Sequence, residues 1–317
     1  FRSACSKRLA EDVGWEAPGD DTGLIITSGT SGAIMLAFLA LLNPGDEVVI
    51  PDPFFVIYPA LAGMAGAKAV YCDAYPDFRM TAKRVEPLLT DRTKIVLVNS
   101  PANPSGVVLT GEEMRELAEL CERRGVLLIS DEIYDAFTYE EALEDGRFPS
   151  PAHFTRQMLI VRGFGKTYGC TGWRMGFAAG PLSVTRQMQK LQQYSFVCAP
   201  SMAQYGLAGA FDVDLSEQVA TYRGRRDRVL ASLGGVTPLA APHGAFYAFV
   251  EVPPALGLTG TEFVEQAIAQ NVLIIPGGVF SHRDTHFRLS YATADHKLDA
   301  GLEILRSLLT GSLTTAS

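Results

Sequence analysis

The sequence predicts an α/β protein: a large domain with a mostly parallel sheet between helices, then a smaller α+β domain. Three observations lead there. Apolar strand-length segments alternate with helix-length segments over the first two thirds of the chain. Several of the strand-length segments, such as Ile95 to Val98 and Val126 to Ile129, are apolar without interruption, as strands covered on both faces are. Beyond Ser183 the pattern turns helical, and after residue 213 short strands and helices mix. The expected domains are therefore 1–212 and 213–317.

The elements follow in order. Phe1 to Val13 reads as an amphipathic helix and Leu24 to Thr27 as a short strand. Ser28-Gly29-Thr30-Ser31-Gly32 is a small-residue loop, and Ala33 to Leu42 is a helix stopped by Asn43-Pro44-Gly45-Asp46. A strand, a small-residue loop and a helix present free N–H groups and a helix N-terminus to an anion. Val48 to Ile50, Ala69 to Cys72 and Ile95 to Val98 are strands, separated by helices at Phe54 to Gly63 and Lys83 to Leu89. Asn99 to Gly106 is a loop of turn residues. The helix Glu112 to Arg124 ends at Gly125, and the strand Val126 to Ile129 runs into Ser130-Asp131-Glu132-Ile133-Tyr134. Met158 to Val161 and Met175 to Ala179 complete the strands of the first domain. In the second, Asp212 to Leu233 reads as one long helix whose four arginines face solvent or an interface. Gly244 to Val250, Val272 to Ile275 and Phe287 to Tyr291 read as strands, with helices at Thr261 to Ala269 and Leu298 to Leu309.

Composition narrows the function. With 317 residues, 47% hydrophobic and 20% charged, the chain has the make-up of an ordinary globular protein. A formal net charge of −8 with no basic block disfavours nucleic acid and anionic membrane surfaces as partners. No apolar run approaches the ~18 residues that span a bilayer. The five cysteines are scattered and never form C-x-x-C, so reduced thiols and a cytoplasmic setting are expected.

Val161 to Phe177, reading VRGFGKTYGCTGWRMGF, carries the candidate nucleophile. Lys166 lies among small residues between apolar segments, where desolvation lowers an amine's proton affinity and a neutral amine can form a Schiff base. Ser31, Asn103, Asp131 and Lys166 all follow strand ends, where ligands of parallel sheets bind. Other motifs fail. Gly165-Lys166-Thr167 ends like a P-loop, but Ile160 stands where its first glycine belongs. His282-Arg283-Asp284 has no other kinase element beside it, and the five histidines do not form a zinc pattern, so no metal is expected. Ser31, Asp131 and His286 follow the chain order of a serine hydrolase, but Ala33 replaces a glycine of its elbow. Pyridoxal phosphate fits more of the residues: a lysine for its aldehyde, an acid, Asp131, for its ring nitrogen, and an anion cradle for its phosphate. Taken singly, Lys166 also fits a loop lysine, Asp131 a cap, Phe55 the core and Arg288 a surface strand.

The segments SGTSGAI, LNPGDEVVIPDPFFVIYP, VNSPANPSG, SDEIYDAF, GFGKTYGCTGWRMGF, PHGAFYAF and FRLSYA, in this order, resemble the class I/II aminotransferases of the aspartate aminotransferase superfamily. The likeness runs over nearly the whole chain and is nearest to the branch with aspartate, aromatic and kynurenine aminotransferases. It implies fold type I with a seven-stranded-type sheet, pyridoxal phosphate as cofactor, and ping-pong transfer between an α-amino acid and a 2-oxo acid. It also implies a homodimer with the active site at its interface.

The resemblance assigns roles to single residues. Lys166 would form the Schiff base and shuttle the proton, and Asp131 would bind the ring nitrogen. Tyr134 and Asn103 would bond the ring oxygen, with Phe55 and Ile133 on the two ring faces. Gly29, Thr30, Ser31 and Arg174 would hold the phosphate. Arg288, with Asn103, would take the substrate carboxylate as a two-pronged arginine clamp. Gly163 departs from the serine or threonine of many relatives, which shifts the phosphate onto Ser31 and Arg174. Relatives carry several dozen residues before the equivalent of Phe1, including a gating loop and a tyrosine lent to the neighbouring subunit. That segment is expected to be cleaved, disordered or lacking here. Tyr247, Phe246 and Tyr194 are candidates for making room for aromatic substrates. A lyase of the same fold and a ligand-sensing domain stay open as alternatives.

Overall fold

The computed structural model describes residues 1–312. The chain runs α1 (Arg2–Val13), β1 (Thr22–Ser28), α2 (Gly29–Leu41), β2 (Glu47–Asp52), α3 (Ile57–Met64), β3 (Lys68–Asp73), α4 (Ala82–Val85), β4 (Thr93–Asn99), α5 (Gly111–Arg124) and β5 (Leu127–Asp131). It continues through β6 (Met158–Gly163), β7 (Met175–Pro181), α6 (Leu182–Ser195), α7 (Ser201–Gly206), α8 (Ser216–Leu233) and β8 (Tyr247–Glu251). Last come α9 (Gly260–Ala269), β9 (Ile275–Pro276), β10 (His286–Ser290) and α10 (Asp295–Leu309).

The first seven strands form one sheet in the order β1-β7-β6-β5-β4-β2-β3, in which β7 runs antiparallel to both of its neighbours. The unbroken apolar runs reflect burial on both faces. Val48, Ile50, Ile95, Leu97, Ile129 and Leu159 point into one core layer with residues of α2 and α3. Val49, Val96, Val98, Leu128, Met158 and Ile160 point into the opposite layer with residues of α1 and α5. α5 is closed by a capping box between Thr110 and Glu113 and ends on Gly125 at φ 62°, where a left-handed residue is needed. The remaining strands form an antiparallel sheet, β8-β10-β9, sharing a core with α8, α9 and α10. No helix among the described residues is long and apolar enough to cross a membrane.

Several expectations shift. Gly29-Thr30-Ser31 is the first turn of α2 and not a loop. The helix expected from Phe54 begins at Ile57, and the Phe54 N–H donates instead to the Phe280 carbonyl at 2.7 Å, which ties the segment before α3 to a distant part of the chain. The stretch Lys83 to Leu89 splits into α4 and a 3-10 turn that contains Pro87. α8 starts at Ser216, where the Asp214 carboxylate accepts from the Ser216 N–H, and not at Asp212. Gly244 to Phe246 stay outside β8, since Ala245 takes φ 54° and its N–H donates to the Phe137 carbonyl. β9 is confined to Ile275 and Pro276. The arginines of α8 are not simply solvated. Arg225 bonds Asp295 and Arg228 bonds Asp299 on α10, while Arg226 is buried against the Pro242 carbonyl.

One close approach sets the start of α2. Gly176 in β7 faces it so tightly that a Cβ there would stand 2.7 Å from the Gly29 carbonyl carbon and 3.0 Å from the Thr30 nitrogen. Those are backbone atoms and cannot swing aside. Gly176→Ala is therefore expected to destabilise the fold by about 1–3 kcal/mol. Urea unfolding measures this as a lowered midpoint at an unchanged slope.

Candidate active site

The sheet delivers its chemistry at one edge. Ser28, Asn99, Asp131 and Gly163 are the last residues of β1, β4, β5 and β6, and the antiparallel β7 enters from that same edge just after Arg174. A cavity opens there. Gly29, Thr30, Ser31, Phe55, Asn103, Asp131, Ile133, Tyr134, Lys166 and Arg174 all line it, so the ten residues singled out for it from the sequence come together. Arg288, on β10 of the second sheet, reaches the same place: its Nη1 donates to Asn103 Oδ1 at 2.9 Å.

Asp131 forms the floor. It is buried, and burial pushes its carboxyl up to about 6, against two donors that favour the ionised form. Those donors are the Tyr58 hydroxyl, 2.8 Å from Oδ2, and the Ile133 N–H, 3.2 Å from Oδ1. The neighbouring Glu132 adds to the rise, although its own charge is met by Arg162 at 2.9 Å.

The rim is positive. Burial lowers the proton affinity of Lys166, and the charges of Arg288 and Arg174 lower it further. Its Nζ lies 6.0 Å from the centroid of the Phe246 ring. Arg174 sits at φ 53°, and among the described residues its side chain bonds only the Thr171 carbonyl, at 3.3 Å. Its guanidinium lies over Gly29, where a Cβ would stand 2.8 Å from Nη2. Arg288 has a buried Nε with no hydrogen-bond partner. Among the described residues no carboxylate pairs with Lys166, Arg174 or Arg288. Ser28, at the N-cap of α2, makes no side-chain cap, so the first-turn amides beside Arg174 are not satisfied by it. A helix N-terminus and a guanidinium together attract an anion.

Gly163 has a local reason. A Cβ there would stand 2.5 Å from Ile133 Cδ1 and 2.9 Å from Thr30 Cγ2, so those two side chains occupy the space a larger residue would need. The hydrolase arrangement is not assembled. Asp131 is engaged by Tyr58, and His286 is stacked on Phe249, bonded to Thr285 and pushed down to about 4 by burial. Of the aromatic candidates, Phe246 and Tyr247 lie next to Tyr134, whereas Tyr194 is exposed on α6 and lines no part of the cavity.

Two residues of the site, Tyr58 and Asn99, and the tie made by a third escape sequence reading. Tyr58 looks like core because it sits inside a helix. Asn99 donates Nδ2 to the Asp131 carbonyl at 2.9 Å and accepts from the Asn103 N–H at 2.8 Å, which fixes two lining residues at once. Tyr247 reaches Tyr134 hydroxyl to hydroxyl at 3.2 Å. The one available signal was position, since Asn99 closes an apolar strand as Asp131 does.

The raised Asp131 pKa has a stability consequence. A carboxyl that binds its proton more tightly folded than unfolded favours the fold fully below its unfolded pKa, near 4, and that contribution is lost as pH rises through about 6. In cofactor-free protein at pH 8, Asp131→Asn is therefore expected to be more stable than the parent by up to about 3 kcal/mol. The gain should fade as pH falls from 6 to 4. Denaturant unfolding at the three pH values checks it, and a gain independent of pH contradicts the assignment.

Comparison with known proteins agrees with this geometry. The profile of the family described as aminotransferase class I and II matches residues 6–305. The aspartate aminotransferase of Geobacillus stearothermophilus is 34% identical over 310 residues, covering 94% of this chain and 78% of its own. Aromatic-amino-acid aminotransferase 2 of Thermococcus litoralis is 31% identical, covering 98% of this chain and 81% of its own. The crystal structure of the aromatic aminotransferase of Pyrococcus horikoshii superposes with a TM-score of 0.90 at 32% identity, over 98% of this chain and 85% of its own. The strand order, the residues gathered at the sheet edge and these likenesses agree: the chain belongs to the class I and II aminotransferases, pyridoxal-phosphate-dependent enzymes of fold type I.

Proposed function

We propose that the cavity binds pyridoxal phosphate through the residues described above and moves an amino group between an α-amino acid and a 2-oxo acid by a ping-pong route. The polarity of the site carries this reading: one buried acid at the floor, and three cations without carboxylate partners around the rim. The residues fit the group. The first turn of α2 and Arg174 suit a phosphate, the Asp131 carboxylate suits a protonated ring nitrogen, and Tyr134 and Asn103 suit the ring oxygen. Phe55 and Ile133 offer the flat and apolar contacts for the two ring faces.

Bound pyridoxal phosphate supplies an aldehyde carbon for the amino group and a ring that withdraws electrons from the substrate α-carbon. Ionised Asp131 would hold a proton on the ring nitrogen, and Tyr58 keeps its carboxylate oriented. Lys166 Nζ, neutral more readily than an exposed lysine, would be the group that takes up and returns the proton released at the substrate α-carbon. Arg288 binds the α-carboxylate through Nε and an Nη, while Asn103 holds its other edge.

We further place the division between the domains at residues 212 and 213. The end of a 3-10 turn at Asp212, before α8, supports this. A homodimer is supported by Tyr194, Val197, Met202 and Tyr205, large apolar side chains exposed on and around α6 and α7. Trp173, packed on Gly206 of α7, links that face to Arg174. The five unpaired cysteines support a cytoplasmic setting.

Spectroscopy, kinetics, a product assay and sedimentation test these readings. With added pyridoxal phosphate the protein should show a visible band that shifts with amino acids and is lost in Lys166→Ala. Arg288→Lys should keep the band but raise KM at least about tenfold, because lysine cannot make the fork. Pyruvate and ammonia formed without an oxo acid would assign a lyase instead. Sedimentation should give a dimer, and the double substitution Met202→Glu with Tyr205→Glu should give monomers. A parent that sediments as a monomer contradicts the dimer.

A further inference from the structure

We propose that Tyr247 is a positioning residue that joins the two arms of the site: its ring holds Arg288 in place, and its hydroxyl polarises the hydroxyl of Tyr134. The proposal rests on the cofactor reading above and extends it to a residue that is not itself among the proposed cofactor contacts, and whose link between Tyr134 and Arg288 does not follow from the sequence.

Tyr247 is the first residue of β8 and is almost fully buried. In the β8–β10 ladder Arg288 stands opposite Phe249, which makes Tyr247 its diagonal neighbour on the same face of the sheet. The Arg288 guanidinium carbon lies 4.6 Å from the centre of the Tyr247 ring and 4.5 Å from that of Phe280. Two aromatic faces hold the fork, and its hydrogen-bonding edge is left to Asn103 and to a ligand. At the far end of the same ring, the Tyr247 oxygen is 3.2 Å from the Tyr134 oxygen. Tyr134 is itself buried, its ring perpendicular to that of Tyr247, and it has no other hydroxyl partner among the described residues.

When Tyr134 spends its proton on the cofactor's ring oxygen, Tyr247 must be the donor in the pair. A hydroxyl that accepts one hydrogen bond donates a stronger second one. Tyr247 thereby stabilises negative charge on the ring oxygen through Tyr134, and this lowers the pH at which the visible band titrates. The ring and the hydroxyl of Tyr247 serve different ends of the site, so they can be separated by substitution.

The test uses the full chain with pyridoxal phosphate. The pH midpoint of the visible band and the KM for an amino-acid donor are measured for the parent, Tyr247→Phe, Tyr247→Leu, Tyr134→Phe and the double variant Tyr134→Phe/Tyr247→Phe. Tyr247→Phe keeps the ring, and should raise the midpoint by roughly half a unit, a threefold change in proton affinity, with KM little changed. Tyr247→Leu should raise KM by about tenfold as well. In the Tyr134→Phe background, removing the Tyr247 hydroxyl should move the midpoint no further. An unmoved midpoint in Tyr247→Phe, or the same shift with Tyr134 already replaced, overturns the relay. An unchanged KM in Tyr247→Leu overturns the clamp. If the parent itself shows no band, the cofactor reading fails, and this proposal fails with it.

Discussion

The buried carboxylate of Asp131, at the last position of β5, is the constraint on which the site depends. It lies in a sheet core built of valine, isoleucine and leucine, where an ionised acid is costly. One phenol and one backbone N–H stabilise it in part, and a hydrogen bond to a charged group contributes about 1.5–3 kcal/mol. That leaves a carboxyl poised near neutrality, where a cationic ring nitrogen can stabilise its ionised form. Everything around it preserves the arrangement. Asn99 bonds its carbonyl, Glu132 and Arg162 neutralise one another beside it, and Phe55 packs edge-on against Tyr58.

Charge is separated along the cavity. The acid is at the floor, and Lys166, Arg174 and Arg288 surround the opening with no carboxylate partner among the described residues. A site of this kind favours a ligand that is cationic at one end and anionic at two others. The same separation depresses the proton affinity of Lys166, because two guanidinium charges oppose its protonation. A mechanism that needs a neutral amine therefore takes it from the residues that bind the anions.

Specific hydrogen bonds join the two sheets. Arg288 crosses from β10 to Asn103, Tyr247 crosses from β8 to Tyr134, and Phe54 bonds Phe280 across the same gap. Arg288, proposed for the substrate carboxylate, and Asp131, proposed for the cofactor, thus stand on different sheets joined by side chains. A change at that junction alters both KM and the titration of the site, which differs from a loss of core packing.

The pattern of short apolar runs was enough to predict the parallel sheet, because strands buried on both faces have no polar residue to spare. The spacing of Asp131, Asn103 and Lys166 after strand ends was enough to predict one crevice, since parallel strands end on one edge. Helix starts were read less well: Phe54 to Val56 have helical composition but stay outside the helix, with the Phe54 N–H bonded to a residue over two hundred positions away. Tyr58, Asn99 and the bond from Tyr247 to Tyr134 were invisible for a related reason. Each acts through a hydrogen bond to a side chain or backbone group of another element, and a buried tyrosine in a helix or strand has the sequence signature of core. Which residues carry reactive groups is a property of the chain. Which phenol orients an acid, and which ring holds an arginine, is decided by packing between elements, because hydrogen bonds and ring contacts act over a few ångströms and those distances exist only in the folded protein.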